Sequence, residues 1–153
     1  MEPIESFIKE CFDVFDGYQK PEQCIDHQGD PEYKDYEDSL VGISRNQLTM
    51  NHIGHSGYGP LSALGPEAVA YYLPKLIEFA VLGVNDKSHH PFMLYFTMVF
   101  SELSESERCV LLGHEQREIM LRVFMVLKGL YYHIFKEHCY DDDLDSAIDQ
   151  WKI

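Results

Sequence analysis

Histidine, cysteine and aspartate are the residues of this chain that could carry chemistry, and their spacing decides what kind. His52 and His55 stand three apart around Gly54, His89 and His90 are adjacent, and His114 lies one helical turn before Glu118. A zinc centre needs three or four ligands at short, regular spacing. No third ligand is in register with any of these pairs. His114-Glu115-Gln116-Arg117-Glu118 approaches the zinc-protease helix, but Glu118 stands where the second histidine belongs. The spacing therefore predicts no metal centre, and its histidines read as solvated or capping residues.

The four cysteines, Cys11, Cys24, Cys109 and Cys139, lack paired metal spacing and read as reduced thiols. A nucleophilic cysteine needs a neighbouring base or a helix N-terminus. Cys11 falls on an apolar stripe instead, and Cys139, beside His138, falls at a helix C-terminus. No Gly-x-Ser-x-Gly, phosphate loop or dinucleotide fingerprint occurs, so neither a catalytic residue nor a cofactor is predicted. Asp141-Asp142-Asp143-Leu144-Asp145 superficially resembles a calcium loop. It lacks the glycine at the sixth position and the closing glutamate.

The elements that must position these residues are helical almost throughout. Ile4, Phe7, Ile8, Cys11, Phe12 and Phe15 repeat at helical spacing, predicting a helix over about 3–15. Asp30-Pro31-Glu32 reads as cap, first position and acidic first turn of a second helix ending at Val41. A short third helix is predicted over 44–51, with Ser44 as its cap and Leu48 inward. Six glycines and prolines between 51 and 66 mark the main loop.

Pro66 then opens a helix whose stripe is Val69, Leu73, Leu76 and Ala80, with a kink or break expected at Pro74. The apolar run 91–101 reads as helix rather than buried strand. Ser104 with Glu107 forms a capping box that opens the longest helix, about 105–138, within which Gly113 offers an early break. Its apolar residues spread over nearly every side between 119 and 135, so it is predicted to be the buried centre of the bundle. Asp141–Trp151 closes the chain with Leu144, Ile148 and Trp151 inward. The fold class read from this pattern is all-α: a single domain over 1–153, bundled around that long central helix.

Leu64-Gly65-Pro66-Glu67-Ala68-Val69-Ala70-Tyr71-Tyr72-Leu73-Pro74 resembles the signature of an uncharacterised bacterial family of small helical proteins, in which a Pro-Glu-Ala helix start precedes paired tyrosines and a Leu-Pro step. Phe100-Ser101-Glu102-Leu103-Ser104, before a long helix, resembles the same family. The likeness spans about residues 40–135. It implies a helical fold and carries no activity with it.

Charge supplies the functional hint. The first 40 residues hold 12 acidic side chains against three lysines, and the last 17 hold six against Lys152. Residues 41–136 carry eight of each sign, so the net charge of −14 comes wholly from the two ends. Acidic ends repel nucleic acid and anionic membrane and attract a cationic protein. No export signal or membrane span is visible, so a cytoplasmic protein is expected.

Aromatic residues beside carboxylates suit a basic protein surface. The candidate partner-binding residues are accordingly Asp141, Asp142, Asp143 and Asp145, together with Tyr33, Tyr36, Glu37 and Asp38. The leading expectation is a non-enzymatic protein-binding module, in its most concrete form an immunity protein or antitoxin-like inhibitor of a cationic toxin or nuclease. The alternatives are a small enzyme with a site at the glycine-rich loop, using His52, His55 and Glu67, and an accessory or oligomerising subunit.

Overall fold

Seven α-helices make up the architecture in a computed structural model that describes residues 2–25, 31–54, 59–101 and 104–152. They are α1 (Glu2–Val14), α2 (Pro31–Leu40), α3 (Met50–Ile53), α4 (Pro66–Val81), α5 (Phe92–Phe100), α6 (His114–Glu137) and α7 (Asp141–Trp151). Single 3-10 turns occupy Leu61–Ala63 and Glu107–Cys109, and no strand occurs among the described residues. The all-α class follows from the helical repeat of the sequence.

The centre of the bundle is α4, not the long helix α6. Eleven of its 16 residues are buried, including Ala68, Tyr72, Leu73, Leu76, Ile77 and Ala80, and it packs against α1, α5, α6 and the second 3-10 turn. Gly65 caps it in extended conformation and Pro66 takes the first helical position, where a missing N–H costs nothing. Of the kink or break expected at Pro74, the break does not occur: the helix runs through to Val81. Pro74 has no N–H to donate to the Ala70 carbonyl, and the buried Leu73, Leu76 and Ile77 hold the turns around it.

The long helix is shorter and less buried than its sequence suggests. It starts at His114, with Gly113 as its cap, so residues 105–113 lie outside it. The predicted capping box is not made. Ser106, not Ser104, caps the Glu107–Cys109 turn by accepting from the Arg108 amide at 3.0 Å, and the buried Ser104 hydroxyl has no hydrogen-bond partner among the described residues. Arg117 favours this arrangement by folding back to donate to the carbonyls of Leu112 (3.3 Å), Cys109 (3.1 Å) and Ser104.

Ile119, Met120, Val123, Phe124, Leu127 and Phe135 are buried, but Met125 is 55% exposed and Leu130 38%. The helix kinks at Tyr131, whose hydroxyl donates to the Val81 carbonyl at the end of α4 (2.7 Å). The predicted helix over 44–51 is likewise displaced. Residues 45–47 form a turn, and the short α3 starts at Met50 because Thr49, not Ser44, precedes it as the cap. Leu48 is buried as expected.

Three of the four arginines stitch irregular segments to this core through carbonyl oxygens. Arg45 donates to Phe15 (3.2 Å) and Tyr18 (2.8 Å) beyond the end of α1, and lies over the Tyr71 ring. Arg108 reaches Leu61 (2.8 Å) and Leu64 (3.0 Å), and Arg117 holds the three carbonyls already named. Trp151 is buried and donates from its indole to the Phe100 carbonyl (2.8 Å), fastening α7 to α5.

Candidate functional site

The predicted partner-binding residues divide into two sets on different helices. On α7, Asp142 and Asp143 are exposed and Asp141 is half-buried, at the helix N-terminus where the macrodipole favours negative charge. Asp145 is already engaged by Lys128 of α6 (2.7 Å), and Asp149 by Lys152 (3.5 Å). The first acidic end is met in the same way, because Arg122 of α6 binds Glu10 of α1 through two bonds of 2.6 and 2.9 Å. That guanidinium holds the Glu10 carboxyl below the usual carboxylate range. Cations of α6 therefore reach toward both acidic ends.

On α2 the residues are more committed than their types suggest. Both Glu37 oxygens accept from the Cys24 amide (2.9 Å each), and one also accepts from the Ile25 amide (2.9 Å). The carboxylate thus pins the segment before α2 instead of facing a partner. Tyr36 accepts from the Gly59 amide (3.2 Å) and meets the Tyr33 ring at 6.0 Å. Asp38 is exposed and paired with Lys34 (3.1 Å).

The residues of the alternative enzyme reading sit on different helices where the structure describes them. His52 Nδ1 accepts from the Thr49 amide (2.9 Å), which makes it a capping residue of α3. Glu67 is exposed on the edge of an open cleft of about 620 Å³ beside Glu22, Pro66, Val110 and Leu111. His55 lies outside the described residues. No group of three His, Cys, Asp or Glu able to hold a metal occurs among the described residues. Burial pushes the thiols up, Cys11 to about 12 and Cys109 to about 11. The Cys24 thiol also rises through burial, despite the Lys20 ammonium 3.9 Å away.

A pocket of about 240 Å³ that the sequence did not announce opens between the loop before α5 and the turn joining α6 to α7. Asp86, Pro91, Leu94 and Tyr95 form one side, and His138 and Tyr140 the other. The loop is tied by Phe92 donating to the Val84 carbonyl (2.9 Å) and Asp86 to that of His90 (2.6 Å). Asp86 is 5% exposed, and its Oδ1 accepts from the amides of Ser88 (2.8 Å) and His90 (3.0 Å).

On the opposite wall the Tyr140 amide donates to Phe135 (2.7 Å) and that of Cys139 to Lys136 (3.1 Å), a left-handed helix ending. Each wall contains a strained residue. His89 (φ 66°) and Cys139 (φ 63°) are the two non-glycine residues with positive φ among those described. Tyr95 is buried, with its hydroxyl against Ser62, and burial raises its pKa.

In the sequence, His89-His90 and His138-Cys139 belong to separate stretches. Nothing in it joins two turns nearly fifty residues apart. The chain matches no protein-family model, curated protein or solved structure. No helix among the described residues is long and apolar enough to cross a membrane.

Proposed function

We propose that this protein is a non-enzymatic binding module for a cationic protein partner. An immunity or antitoxin-like inhibitor, covering a basic toxin or nuclease surface with carboxylates, is the most concrete form. The observation that supports this reading is the direction in which the charges point. Arg45, Arg108 and Arg117 spend their positive charge inward on backbone carbonyls. Asp142 and Asp143 stand outward at the start of α7. The surface presented to a partner is thereby depleted of cations beyond what the net charge alone implies, and charge complementarity of this kind acts mainly on association rate and specificity.

The reading is tested with a decalysine peptide and two variants of equal charge change. One replaces Asp141, Asp142 and Asp143 with Asn; the other replaces the exposed Glu105, Glu107 and Glu115 with Gln. The α7 variant should slow association by about tenfold, and the control by less than about twofold, with the difference shrinking as salt is added. Equal slowing by the two variants, or association indifferent to salt, overturns the reading.

A further inference from the structure

We propose that the pocket between the 84–91 loop and the α6–α7 turn is an anchor for a primary ammonium group on an alkyl stem, the side chain of a lysine presented by the cationic partner. This deepens the binding reading above and rests on it.

Asp86 carries the inference. Asp86 lines the pocket while only 5% of the residue is exposed, and no cationic side chain lies within ion-pairing distance of its carboxylate among the described residues. Buried charges are ordinarily paired, since burial without a counter-charge is costly. Two backbone amides satisfy Oδ1, whereas Oδ2 takes no hydrogen bond from a described residue. An incoming ammonium supplies the counter-charge and donates to Oδ2, the oxygen that the loop amides leave open.

The walls suit the rest of such a side chain. Pro91 and Leu94 offer apolar surface to a methylene stem, and the Tyr95 and Tyr140 rings are aromatic partners of a kind that attracts cations. At about 240 Å³ the pocket falls below the roughly 300–1,000 Å³ of small-molecule sites, so its capacity is that of one side chain rather than a metabolite. A guanidinium prefers to engage both carboxylate oxygens, and Oδ1 is already committed to two amides. The compact ammonium is the better match. Tyr140 leads directly into Asp141, Asp142 and Asp143, so the carboxylates that steer a cation begin where the pocket ends.

The plain structural role of Asp86, holding its loop through Oδ1, is separable from the proposed one. Asp86→Asn keeps an oxygen acceptor for the Ser88 and His90 amides and removes the charge. The probe is Nα-acetyl-lysine amide, titrated at pH 7.5 against the ¹⁵N-labelled protein, with Nα-acetyl-norleucine amide as the same stem without the ammonium.

Lysine amide should give saturable shifts at Asp86, His90, Leu94 and Tyr95, norleucine amide should give none there, and Asp86→Asn should weaken binding at least about tenfold with an unchanged circular dichroism spectrum. Equal shifts with norleucine amide, shifts confined to Asp141–Asp143, or full binding by Asp86→Asn would overturn the anchor. If Asp86→Asn fails to fold, the lysine–norleucine comparison on the unaltered protein decides alone. Loss of the pocket response with the α7-dependent decalysine association intact removes the anchor and leaves the acidic-surface reading standing.

Discussion

α4 and α6 are both rich in apolar residues, yet α4 is enclosed while α6 lies open along one side. The difference is where their charges fall. The charged residues of α4, Glu67, Lys75 and Glu78, share one narrow edge, and Lys75 and Glu78 pair there at 2.9 Å. In α6 the positions 118, 122, 125, 129, 133 and 136 follow steps of three and four and form a single stripe, all of it exposed. Glu118, Arg122, His133 and Lys136 hold that stripe in water and carry Met125 out with them. A count of apolar residues therefore misjudges which helix is central. The angular position of the charges decides it.

The largest test of this comparison is a pair of truncations. Leu73 of α4 is fully buried and Met125 of α6 is 55% exposed. Leu73→Ala should destabilise by roughly 2–5 kcal/mol, through lost burial and the cavity left behind. Met125→Ala, at a surface position, should stay within about 0.5 kcal/mol. Urea melts of the two variants measure both. A costly Met125→Ala or a silent Leu73→Ala would return the centre of the bundle to α6.

Much of this arrangement is legible in the sequence, for identifiable reasons. Pro31 and Pro66 mark helix starts, and the stripe of Phe7, Cys11 and Phe15 is a plain helical repeat. The helix over 92–100 follows from an apolar run among helical neighbours. The start of α6 is legible only as the early break that Gly113 offers, because Arg117 stabilises the preceding turns through carbonyls that no side-chain pattern advertises. The pocket is hidden for a related reason. His89 and Cys139 occupy left-handed positions without the glycine or asparagine that would flag them, and Asp86 looks like any loop aspartate until its burial is known.

A medium-sized effect contrasts two neighbouring carboxylates of α2 that composition treats alike. Glu37 accepts from the Cys24 and Ile25 amides, whereas Asp38 makes an exposed pair with Lys34. Glu37→Ala leaves those amides without their acceptor and should cost about 1–3 kcal/mol. Asp38→Ala should cost no more than about 1 kcal/mol, the usual range for an exposed ion pair. Thermal unfolding of the two variants separates them, and equal losses would show that Glu37 does not pin the segment. That outcome would also restore Glu37 to the residues available for a partner.

The smallest effect concerns the far end of α6, where the helix stops in a conformation suited to glycine but built with cysteine. Cys139 has φ 63°, is exposed, and contributes its amide to the helix ending. An L-residue with a side chain pays roughly 1–2 kcal/mol in this left-handed region, and glycine avoids that cost. Glycine also loosens the unfolded chain, which returns about 0.4–1 kcal/mol of the gain. Cys139→Gly should therefore stabilise by about 0.5–1 kcal/mol, visible as a rise in melting temperature of roughly 1–4 °C for a chain of this size. The same variant leaves Asp86 and the ring of Tyr140 in place, so lysine-amide binding should persist. Stabilisation accompanied by a weaker lysine response would mean that the strained turn at Cys139 helps to shape the pocket, and would tie the local strain of α6 directly to recognition.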